Sequence, residues 1–354
     1  MFASLLFSLI TTLFPSEEAS LVFAGDAMQH QGQLDAAYVS EGTYNYDGYF
    51  DAVAPYISEA DYSVVNLETP VANAHLSGYP CFNAPIEYVD ELSSAGFDLF
   101  LTANNHTLDR RDKGLCQTIA RLDSRKLDHI GTYINIAARN KAIPMVRDIN
   151  GFKVGFLNYT YGTNGISLST DAVVDYIDRD RMAADIKKTR ASGAELVCVC
   201  IHWGDEYKLL PNSFQKSLAE FLKNQGVELI IGSHPHVIQP AEIQKNPKTG
   251  QNVLLVYSLG NFISDMKTTD TRGGMMVKTT LKRDAHGKPY VADASYRLVF
   301  TIPPGGNAKN FRLIPVDSDA DYAKAGGRAG QCRAFATSAL SVLNKHNIAV
   351  PRHR

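Results

Sequence analysis

The chain has 354 residues, of which 45% are hydrophobic and 20% are charged, and its formal net charge is -2 at pH 7. This composition is typical of a soluble globular protein with enough apolar material for one large domain or two modest ones. The near-neutral charge gives no electrostatic reason to expect a nucleic-acid partner. The five cysteines are scattered and include no CxxC pair, which argues against a thiolate zinc site and against a disulfide framework.

Residues 2–14 form an almost entirely apolar segment at the amino terminus. Its length suits the core of a signal peptide and is too short to span a bilayer comfortably. No Lys or Arg precedes it and no Ala-x-Ala site follows it cleanly, so residues 1–19 are either a leader-like segment or an apolar helix packed on the domain. The first alternative predicts an exported or envelope-associated protein with membrane association through residues 2–14, and the second leaves a cytoplasmic location.

Short apolar runs alternate with helical patterns along the first 230 residues or so. Residues 20–24 predict a buried strand that ends at Gly25-Asp26. Further strands are predicted, in chain order, at residues 62–65, 97–101, 128–131, 195–201, 227–231 and 253–257. Helices are predicted at residues 47–59, 86–95, 112–126, 179–192, 214–224 and 329–345.

Two segments have the alternation and turn residues of β-hairpins. The first pairs residues 143–149 with 153–158 around Asn150-Gly151, and the second pairs residues 275–282 with 290–300. Repeated strand, loop and helix units predict a layered α/β fold to which these hairpins are added. A Pro/Gly-rich break at residues 303–308 separates the terminal helix, so residues 303–354 are predicted as a C-terminal extension.

Six polar clusters each lie at or just after the end of a predicted strand. They are Asp26; Asn66 and Glu68; Asn104, Asn105, His106 and Asp109; His202 and Glu206; His234 and His236; and Asn261 with Asp265. Parallel strands place their carboxyl ends on one edge of the sheet, where open α/β sheets bind ligands. Carboxylates, amide oxygens and imidazoles suit Zn, Mn or Fe, so the clusters predict a shared site for a divalent metal.

Several of these residues also have purely structural interpretations. Asn105 and Asp109 have the residue types that cap a following helix. His202, next to the single tryptophan Trp203, is compatible with a hydrogen-bonded core histidine. These alternatives stay open on the sequence alone.

His234-Pro235-His236 is the strongest single signal in the sequence. Two imidazoles at positions i and i+2 can face one site when the proline between them fixes the backbone. The remaining histidines lie in no polar cluster and are assigned no functional role; they are His30, His75, His129, His286, His346 and His353.

Taken together, the clusters resemble the ordered metal motifs of the calcineurin-like metallophosphoesterases, in the variant found in the poly-γ-glutamate capsule biosynthesis (CapA-type) proteins. The segments that carry the resemblance are Gly25-Asp26-Ala27-Met28, Asn66-Leu67-Glu68-Thr69-Pro70, Asn104-Asn105-His106-Thr107-Leu108-Asp109, His202-Trp203-Gly204-Asp205-Glu206-Tyr207, Gly232-Ser233-His234-Pro235-His236-Val237 and Ser258-Leu259-Gly260-Asn261-Phe262. The resemblance implies a layered αββα sandwich of mixed sheets over residues 20–302, with a C-terminal β-hairpin and a terminal helix.

The resemblance also implies roles for individual residues. Asp26 and His236 would hold a first metal ion, and Glu68 would replace the usual bridging aspartate. Asn105, His202 and His234 would hold a second ion, so one or two ions are expected. His106 and Asp109 are the implied catalytic residues, with His106 beside the leaving group. Six further residues are assigned to substrate contact or to support of the ligands: Asn66, Asn104, Trp203, Glu206, Asn261 and Arg272.

Two departures from the superfamily pattern bear on the first ion. Met28 stands where the superfamily has a histidine, and a thioether is a weak ligand for these metals. Glu68 is longer than aspartate by one methylene, which alters the expected spacing of the ions. Glu206 is a candidate for offsetting the lost histidine, Trp203 is expected either to stack on a substrate or to pack, and Arg272 either binds an anionic group or is a solvated turn residue.

The resemblance predicts metal-dependent hydrolysis of a phosphoester or related anionic bond in capsule, poly-γ-glutamate or envelope metabolism. The alternative is a non-catalytic component of a capsule or polyglutamate assembly, in which the pocket binds metal or polymer. The expected partners are an anionic small molecule or polymer and, in the second case, capsule-assembly proteins.

Overall fold

The structure is a computed structural model that describes residues 18–306 and 308–353. The predicted leader-like segment, residues 1–19, lies outside the described residues except for its last two, which begin the first strand. The first strands in chain order are β1 (Glu18–Ala27), β2 (Tyr38–Ser40), β3 (Thr43–Tyr44), β4 (Tyr62–Leu67), β5 (Leu99–Leu101), β6 (Asp128–Ile130), β7 (Thr132–Tyr133), β8 (Met145–Ile149) and β9 (Phe152–Thr160). They are followed by β10 (Val173–Val174), β11 (Leu196–His202), β12 (Leu229–Ser233), β13 (Ala241–Lys245), β14 (Asn252–Val256), β15 (Asn261–Ile263), β16 (Gly273–Arg283), β17 (Pro289–Ile302) and β18 (Arg312–Pro315).

The α-helices of the described residues lie between and after these strands. They are α1 (Gln31–Ala37), α2 (Ala54–Ser58), α3 (Ile86–Ser94), α4 (Arg111–Ser124), α5 (Ile136–Ala142), α6 (Arg179–Ala191), α7 (Ser213–Asn224), α8 (Asp319–Lys324) and α9 (Ala329–His346). None of the described helices is long and apolar enough to cross a membrane.

A first large sheet has the strand order β18-β17-β16-β1-β4-β5-β6, and β15 also pairs with β1. Strands β1, β4, β5, β6 and β15 are parallel, whereas β16, β17 and β18 run antiparallel to their neighbours. The pairing of β16 with β17 confirms the predicted C-terminal hairpin. The parallel part brings the carboxyl ends of β1, β4 and β5 to the same edge of the sheet.

A second sheet has the order β13-β14-β12-β11-β9-β8, with β9, β11, β12 and β14 parallel. Strands β8 and β9 form the other predicted hairpin. Its two turn residues, Asn150 and Gly151, both have positive φ, at 48° and 84°. This conformation is typical of the two-residue turns that match the twist of paired strands.

The two sheets pack face to face, and alternation along each strand shows which side chains lie between them. Leu21 and Phe23 of β1 share one buried cluster with Cys198 and Cys200 of β11. The intervening Val22 belongs instead to a cluster with residues of α2 and α3. Because successive strand residues point to opposite faces, this division gives helix, sheet, sheet and helix layers. The predicted αββα sandwich is therefore confirmed, and the free cysteines Cys198 and Cys200 are core residues.

Helix α7 illustrates how the outer layers form. Asn212 caps its amino terminus by accepting a hydrogen bond from the backbone of Gln215. Leu218 and Leu222, four residues apart, are fully buried against β11 and β12. Burial of each such side chain stabilises the fold by about 2 kcal/mol.

One predicted helix differs in extent from the structure. Residues 47–59 were predicted as one helix, but only Ala54–Ser58 is helical and the preceding residues form turns. Pro55 explains the late start, because proline lacks the backbone N–H and fits only the first helical turn. The terminal helix was correctly predicted, and Phe335, Ala336 and Leu343 of α9 pack into the core between the sheets.

Candidate metal centre

The polar clusters predicted at strand ends meet where the two sheets come together. In the first sheet, Asp26 of β1 is in register with Asn66 of β4 and with Asn261 of β15. In the second sheet, His202 ends β11 beside Ser233 of β12, which is followed directly by His234. The strand ends of both sheets therefore deliver their side chains to one buried place.

Three overlapping groups of potential metal ligands lie here, and in two of them every residue is buried. Asp26, Glu68 and His236 form one group and Glu68, His202 and His234 form the other, with all ligand atoms of a group within 4.8 Å of one another. Glu68 belongs to both groups, which is the arrangement expected for a carboxylate shared between two ions. All five residues are buried.

Two buried polar atoms show that these residues fit a metal. Glu68 Oε1 and His234 Nδ1 make no hydrogen bond within the described part of the chain. Glu68 Oε1 lies 3.6 Å from His202 Nε2 and 3.8 Å from His236 Nε2. These separations are too long for hydrogen bonds, but ligands of one ion, each about 2.1 Å from it, are about 3–4 Å apart. A cation at this place would satisfy atoms that are otherwise costly to bury.

The pKa values of the two carboxyl groups shift in opposite net directions, although burial acts to raise both. Burial raises the pKa of Glu68 well above its ordinary value, and the negative charge of Asp26 adds to the effect. Burial also disfavours ionised Asp26, but hydrogen bonds with His236 and Asn66 outweigh burial and lower its pKa. Without a cation the pair therefore holds a proton on Glu68 while Asp26 is ionised.

The pKa values of the three imidazoles also shift in different directions. Burial, followed by the repulsion of neighbouring imidazoles, lowers the pKa of His202 well below its ordinary value and that of His234 to about 3. For His236, burial acts in the same direction, but the hydrogen bond and charge of Asp26 outweigh it and raise the pKa. His202 and His234 are thus neutral at physiological pH, which is the state that binds metals.

Asparagine side chains hold the carboxylates in place. Asn66 Nδ2 donates to Asp26 Oδ1 at 2.8 Å and to Glu68 Oε2 at 3.2 Å. Asn104 Nδ2 donates to the Leu67 carbonyl at 2.9 Å and to Asn66 Oδ1 at 3.3 Å, which fixes the orientation of the Asn66 amide. The predicted supporting residues Asn66 and Asn104 therefore lie directly behind the candidate ligands.

Asn105 lies against the second group of ligands. Its Oδ1 atom is 2.8 Å from His202 Nε2, and its Nδ2 donates to Asn164 Oδ1 at 3.1 Å. The other nitrogen of His202, Nδ1, is 3.1 Å from the hydroxyl of Ser233. Asn105 Oδ1 and His202 Nε2 thus lie within hydrogen-bond distance of each other, which places Asn105 beside the second group of ligands.

His234 and His236 face the same place, as the motif predicts. Both residues have positive φ, at 101° and 58°, a conformation that non-glycine residues rarely adopt. His236 Nδ1 is 3.1 Å from Asp26 Oδ2 and 3.0 Å from Asn261 Oδ1. Asn261 Nδ2 in turn donates to the Thr271 carbonyl at 2.8 Å, so Asn261 orients His236.

His106 and Asp109 form a buried pair beside the ligands. His106 Nδ1 is 2.8 Å from Asp109 Oδ2, which also accepts a hydrogen bond from the Phe82 backbone at 2.7 Å. Asp109 does not cap helix α4: Arg110 occupies the cap position, and its side chain makes no capping hydrogen bond. The ring of Phe82 meets the His106 ring edge to face at 4.5 Å, which leaves His106 little freedom to turn.

Three predicted neighbours of the site have other contacts. Trp203 is fully buried and its indole donates to the Tyr257 carbonyl at 2.8 Å, so it packs and cannot stack on a substrate. Arg272 donates through Nε to the Lys267 carbonyl at 3.0 Å, and no described contact joins it to the candidate ligands. Met28 is buried, and its carbonyl accepts hydrogen bonds from Gln33 and Tyr88.

Glu206 remains exposed, with its carboxylate within 4.8 Å of ligand atoms of His234 and His236.

Three aromatic residues near the site were not identified from the sequence. His30, assigned no role there, accepts a hydrogen bond from the Asp265 backbone at 3.3 Å and contacts the Phe82 ring. Burial, followed by the field of His236, lowers its pKa to about 4. Tyr161 and Tyr207 contact the rings of His234 and His236. The one available signal was position, since Tyr161 directly follows β9 at the same sheet edge.

Two solved structures with a similar architecture are described as nucleotidases. The NAD nucleotidase (NadN) of Haemophilus influenzae superposes with a TM-score of 0.51 at 13% identity, over 95% of this chain and 57% of that one. A candidate 5'-nucleotidase from Staphylococcus aureus, solved with alpha-ketoglutarate, gives a TM-score of 0.50 at 14% identity, over 90% of this chain and 58% of that one. These likenesses place the chain in the class of metallophosphoesterase-like folds.

Residues 20–266 match the family described as bacterial capsule synthesis protein PGA_cap, and the chain belongs to this family. The capsule biosynthesis protein CapA of Bacillus anthracis is 30% identical over 75% of this chain and 65% of its own length. The PGA biosynthesis protein CapA of Bacillus subtilis is 28% identical over 78% of this chain and 71% of its own length. The chain thus spans slightly less than two thirds of the Bacillus anthracis relative.

Proposed function

We propose that this protein is a metal-dependent hydrolase of a phosphoester or related anionic bond, with a role in capsule, poly-γ-glutamate or envelope metabolism. The observation that carries the proposal is the position of Glu68, which is shared by two ligand groups and has an unpartnered oxygen between two imidazoles. The names of the Bacillus relatives, which refer to capsule and PGA biosynthesis, support the biological setting. An envelope-related location is part of the same proposal.

In this proposal Asp26 and His236 would hold one ion, Asn105, His202 and His234 would hold another, and Glu68 would be a ligand shared by the two groups. When bound, two divalent ions would lower the pKa of a water molecule and would neutralise the charge of phosphoryl oxygens. Mn, Zn and Fe are the metals that suit this mixture of carboxylate, amide and imidazole ligands.

The remaining chemistry falls to His106 and Asp109. The carboxylate of Asp109 holds Nδ1 of His106 at 2.8 Å and so directs Nε2 away from the pair. A positioned imidazole can give a proton to the leaving oxygen, a contribution typically worth about 10²- to 10⁴-fold in rate. His106 is the proposed general acid, and Asp109 is its positioning residue.

The test is hydrolysis of a panel of phosphomonoesters, phosphodiesters and acyl phosphates by protein loaded with Mn, Zn or Fe. Turnover that disappears in His202→Ala and persists in His129→Ala supports the proposal. His129 of β6 suits as the control because it pairs with Asp123 of α4 and is not one of the candidate ligands. A metal-loaded protein that hydrolyses no member of the panel contradicts it.

A second candidate function is a non-catalytic component of capsule or polyglutamate assembly. Two Mycobacterium tuberculosis relatives, each 24% identical over 58% of this chain, are named probable polyglutamine synthesis accessory proteins. The buried Met28 in place of a histidine also leaves the first ligand group with a single imidazole. Bound metal without turnover of any ester favours this second function.

A further inference from the structure

Tyr161 covers the imidazoles of the second ligand group. Its ring centroid lies 4.6 Å from that of His234, and its ring is within 10° of parallel to that of His202 at 6.3 Å. The backbone N–H of Tyr161 donates to the His202 carbonyl at 3.0 Å, so the end of the sheet sets its position. The side chain is nevertheless 44% exposed, which leaves part of the ring free for a ligand.

Tyr207 lies against the other imidazole of the His234-Pro235-His236 motif. Its ring is 6.2 Å from that of His236, and 53% of its surface is exposed. Its backbone N–H donates to the Pro235 carbonyl at 2.8 Å, and its φ of 64° is rare for a residue other than glycine. The local backbone therefore holds the tyrosine beside the metal centre.

Glu206 places a negative charge near these two aromatic rings. Its exposed carboxylate comes within 4.8 Å of ligand atoms of both His234 and His236. Tyr161 contacts the ring of His234 and Tyr207 contacts the ring of His236, so the Glu206 carboxylate shares one neighbouring imidazole with each tyrosine. Exposed Asp205 adds a second carboxylate next to Glu206. Tyr161, Glu206 and Tyr207 together are called the acidic rim below.

We propose that the acidic rim binds an ammonium group on the part of the substrate that is not hydrolysed, so that the preferred substrate is a phosphoester of an amino alcohol. Tyrosine faces attract cations, including substituted ammonium groups, and a nearby carboxylate adds to the attraction. The same carboxylates repel a substrate that carries further negative charge beside its phosphoryl group. The inference rests on the proposed metal centre, which takes the phosphoryl group.

The test compares the binding of two phosphonates, which a phosphoesterase does not hydrolyse. One is the phosphonate analogue of phosphocholine. The other is its isostere in which carbon replaces the ammonium nitrogen, called the neutral compound because its head group is uncharged. Calorimetric titration of the metal-loaded protein is expected to give about 10-fold tighter binding of the cationic compound. Glu206→Gln and Tyr161→Leu are each expected to remove most of this preference while leaving the neutral compound's affinity unchanged. Tyr161→Phe, which keeps the ring, is expected to retain the preference.

Matched control substitutions are available on the hairpin of β2 and β3. Tyr38→Leu removes a tyrosine that is 54% exposed, and Glu41→Gln neutralises an exposed carboxylate in the turn. Both controls are expected to keep the wild-type preference, and every variant is expected to keep its metal content.

Equal affinity for the two phosphonates overturns the proposal, as does loss of metal in Glu206→Gln, since Glu206 would then be a metal ligand. Because binding is measured without turnover, the two proposals fail separately. If the protein prefers the ammonium phosphonate but hydrolyses no ester, only the proposed hydrolase activity is refuted. If it hydrolyses esters but binds both phosphonates equally, only the proposed role of the acidic rim is refuted.

Discussion

Glu68 Oε1 lies 3.6 Å from Nε2 of His202, and the two residues reach this position from different sheets. Glu68 follows β4 of the first sheet, and His202 ends β11 of the second. Their approach is possible because the parallel strands of both sheets end at a common place. The account of the site depends on this meeting of strand ends more than on any single motif.

Replacing Glu68 separates the stability of the fold from metal binding. Burial raises the pKa of Glu68. At pH values above the ordinary pKa of 4.5, the folded metal-free protein therefore keeps a proton on Glu68 that the unfolded chain has already released. Its contribution to stability therefore falls as pH rises above that value. Glu68→Gln is expected to stabilise the metal-free protein at pH 7 by about 1–2 kcal/mol. Chemical denaturation in EDTA measures this difference.

The same substitution is expected to abolish stabilisation by added metal. A ligand that binds the folded state alone adds about 2.7 kcal/mol at 100 times its Kd. Wild type is expected to show such a gain with Mn or Zn, and Glu68→Gln none. Equal stabilisation of both proteins would remove Glu68 from the ligand set, and Glu41→Gln serves as the exposed control.

Metal binding is expected to release protons near pH 7. Burial and Asp26 raise the pKa of Glu68, and for His236 the hydrogen bond and charge of Asp26 outweigh burial and raise its pKa as well. A metal ion needs the carboxylate and the neutral imidazole, so bound protons must leave and apparent affinity must increase with pH. Calorimetry in two buffers of different ionisation enthalpy is expected to show release of about one proton. Proton uptake, or no exchange at all, would contradict the assignment.

Asp109→Asn is expected to slow the release of poor leaving groups while metal content stays at the wild-type level. Without the carboxylate, His106 loses the charged partner that fixes the orientation of its ring. We expect a loss of about 10- to 100-fold for alkyl phosphates and a smaller loss for p-nitrophenyl esters, whose leaving group needs no proton. A plot of rate against leaving-group pKa separates the two cases. An equal loss for every leaving group, or loss of metal, would argue against a general-acid pair.

The ion pair of Asp128 and Arg147 tests the structure away from the site. Burial opposes ionisation of Asp128, but the hydrogen bonds and charge of Arg147 outweigh it and lower the pKa below the ordinary 3.8. A lowered carboxyl pKa gives stability that is complete above about pH 4 and is lost as pH falls further. Asp128→Asn is expected to cost about 0.5–1 kcal/mol at pH 7, because the pair is partly exposed. Denaturation at a series of pH values below 3.8 is expected to show a difference between the two proteins that shrinks as pH falls. A difference that stays constant would mean that the charge of Asp128 is not its cause.

The sequence predicts the sheet edge well because apolar runs mark the strands and polar residues end them. Asp26, Glu68 and His202 could be identified in this way, since they follow runs whose burial is evident. Trp203 shows the limit of the method: its position after His202 was compatible with stacking on a substrate or with packing, and only the path of the chain around Tyr257 decided between them.

Tyr161 of the acidic rim could not be identified for a related reason. A single tyrosine after a strand, such as Tyr161, has no sequence feature that separates it from an ordinary surface residue. Its relation to His234 depends on how the loop after β9 bends over the second sheet, and that path is fixed by long-range contacts. His30 is similar, because its contact with Phe82 joins segments that are 52 residues apart in the sequence.

The most direct test of the account is the metal-to-protein ratio of the purified protein, measured by elemental analysis beside His234→Ala and His129→Ala. The account predicts a ratio near two for wild type and for His129→Ala, and a clear loss in His234→Ala, since His234 Nδ1 is buried without another partner. Unchanged metal content in His234→Ala, or wild-type protein that takes up no Mn, Zn or Fe, would contradict it.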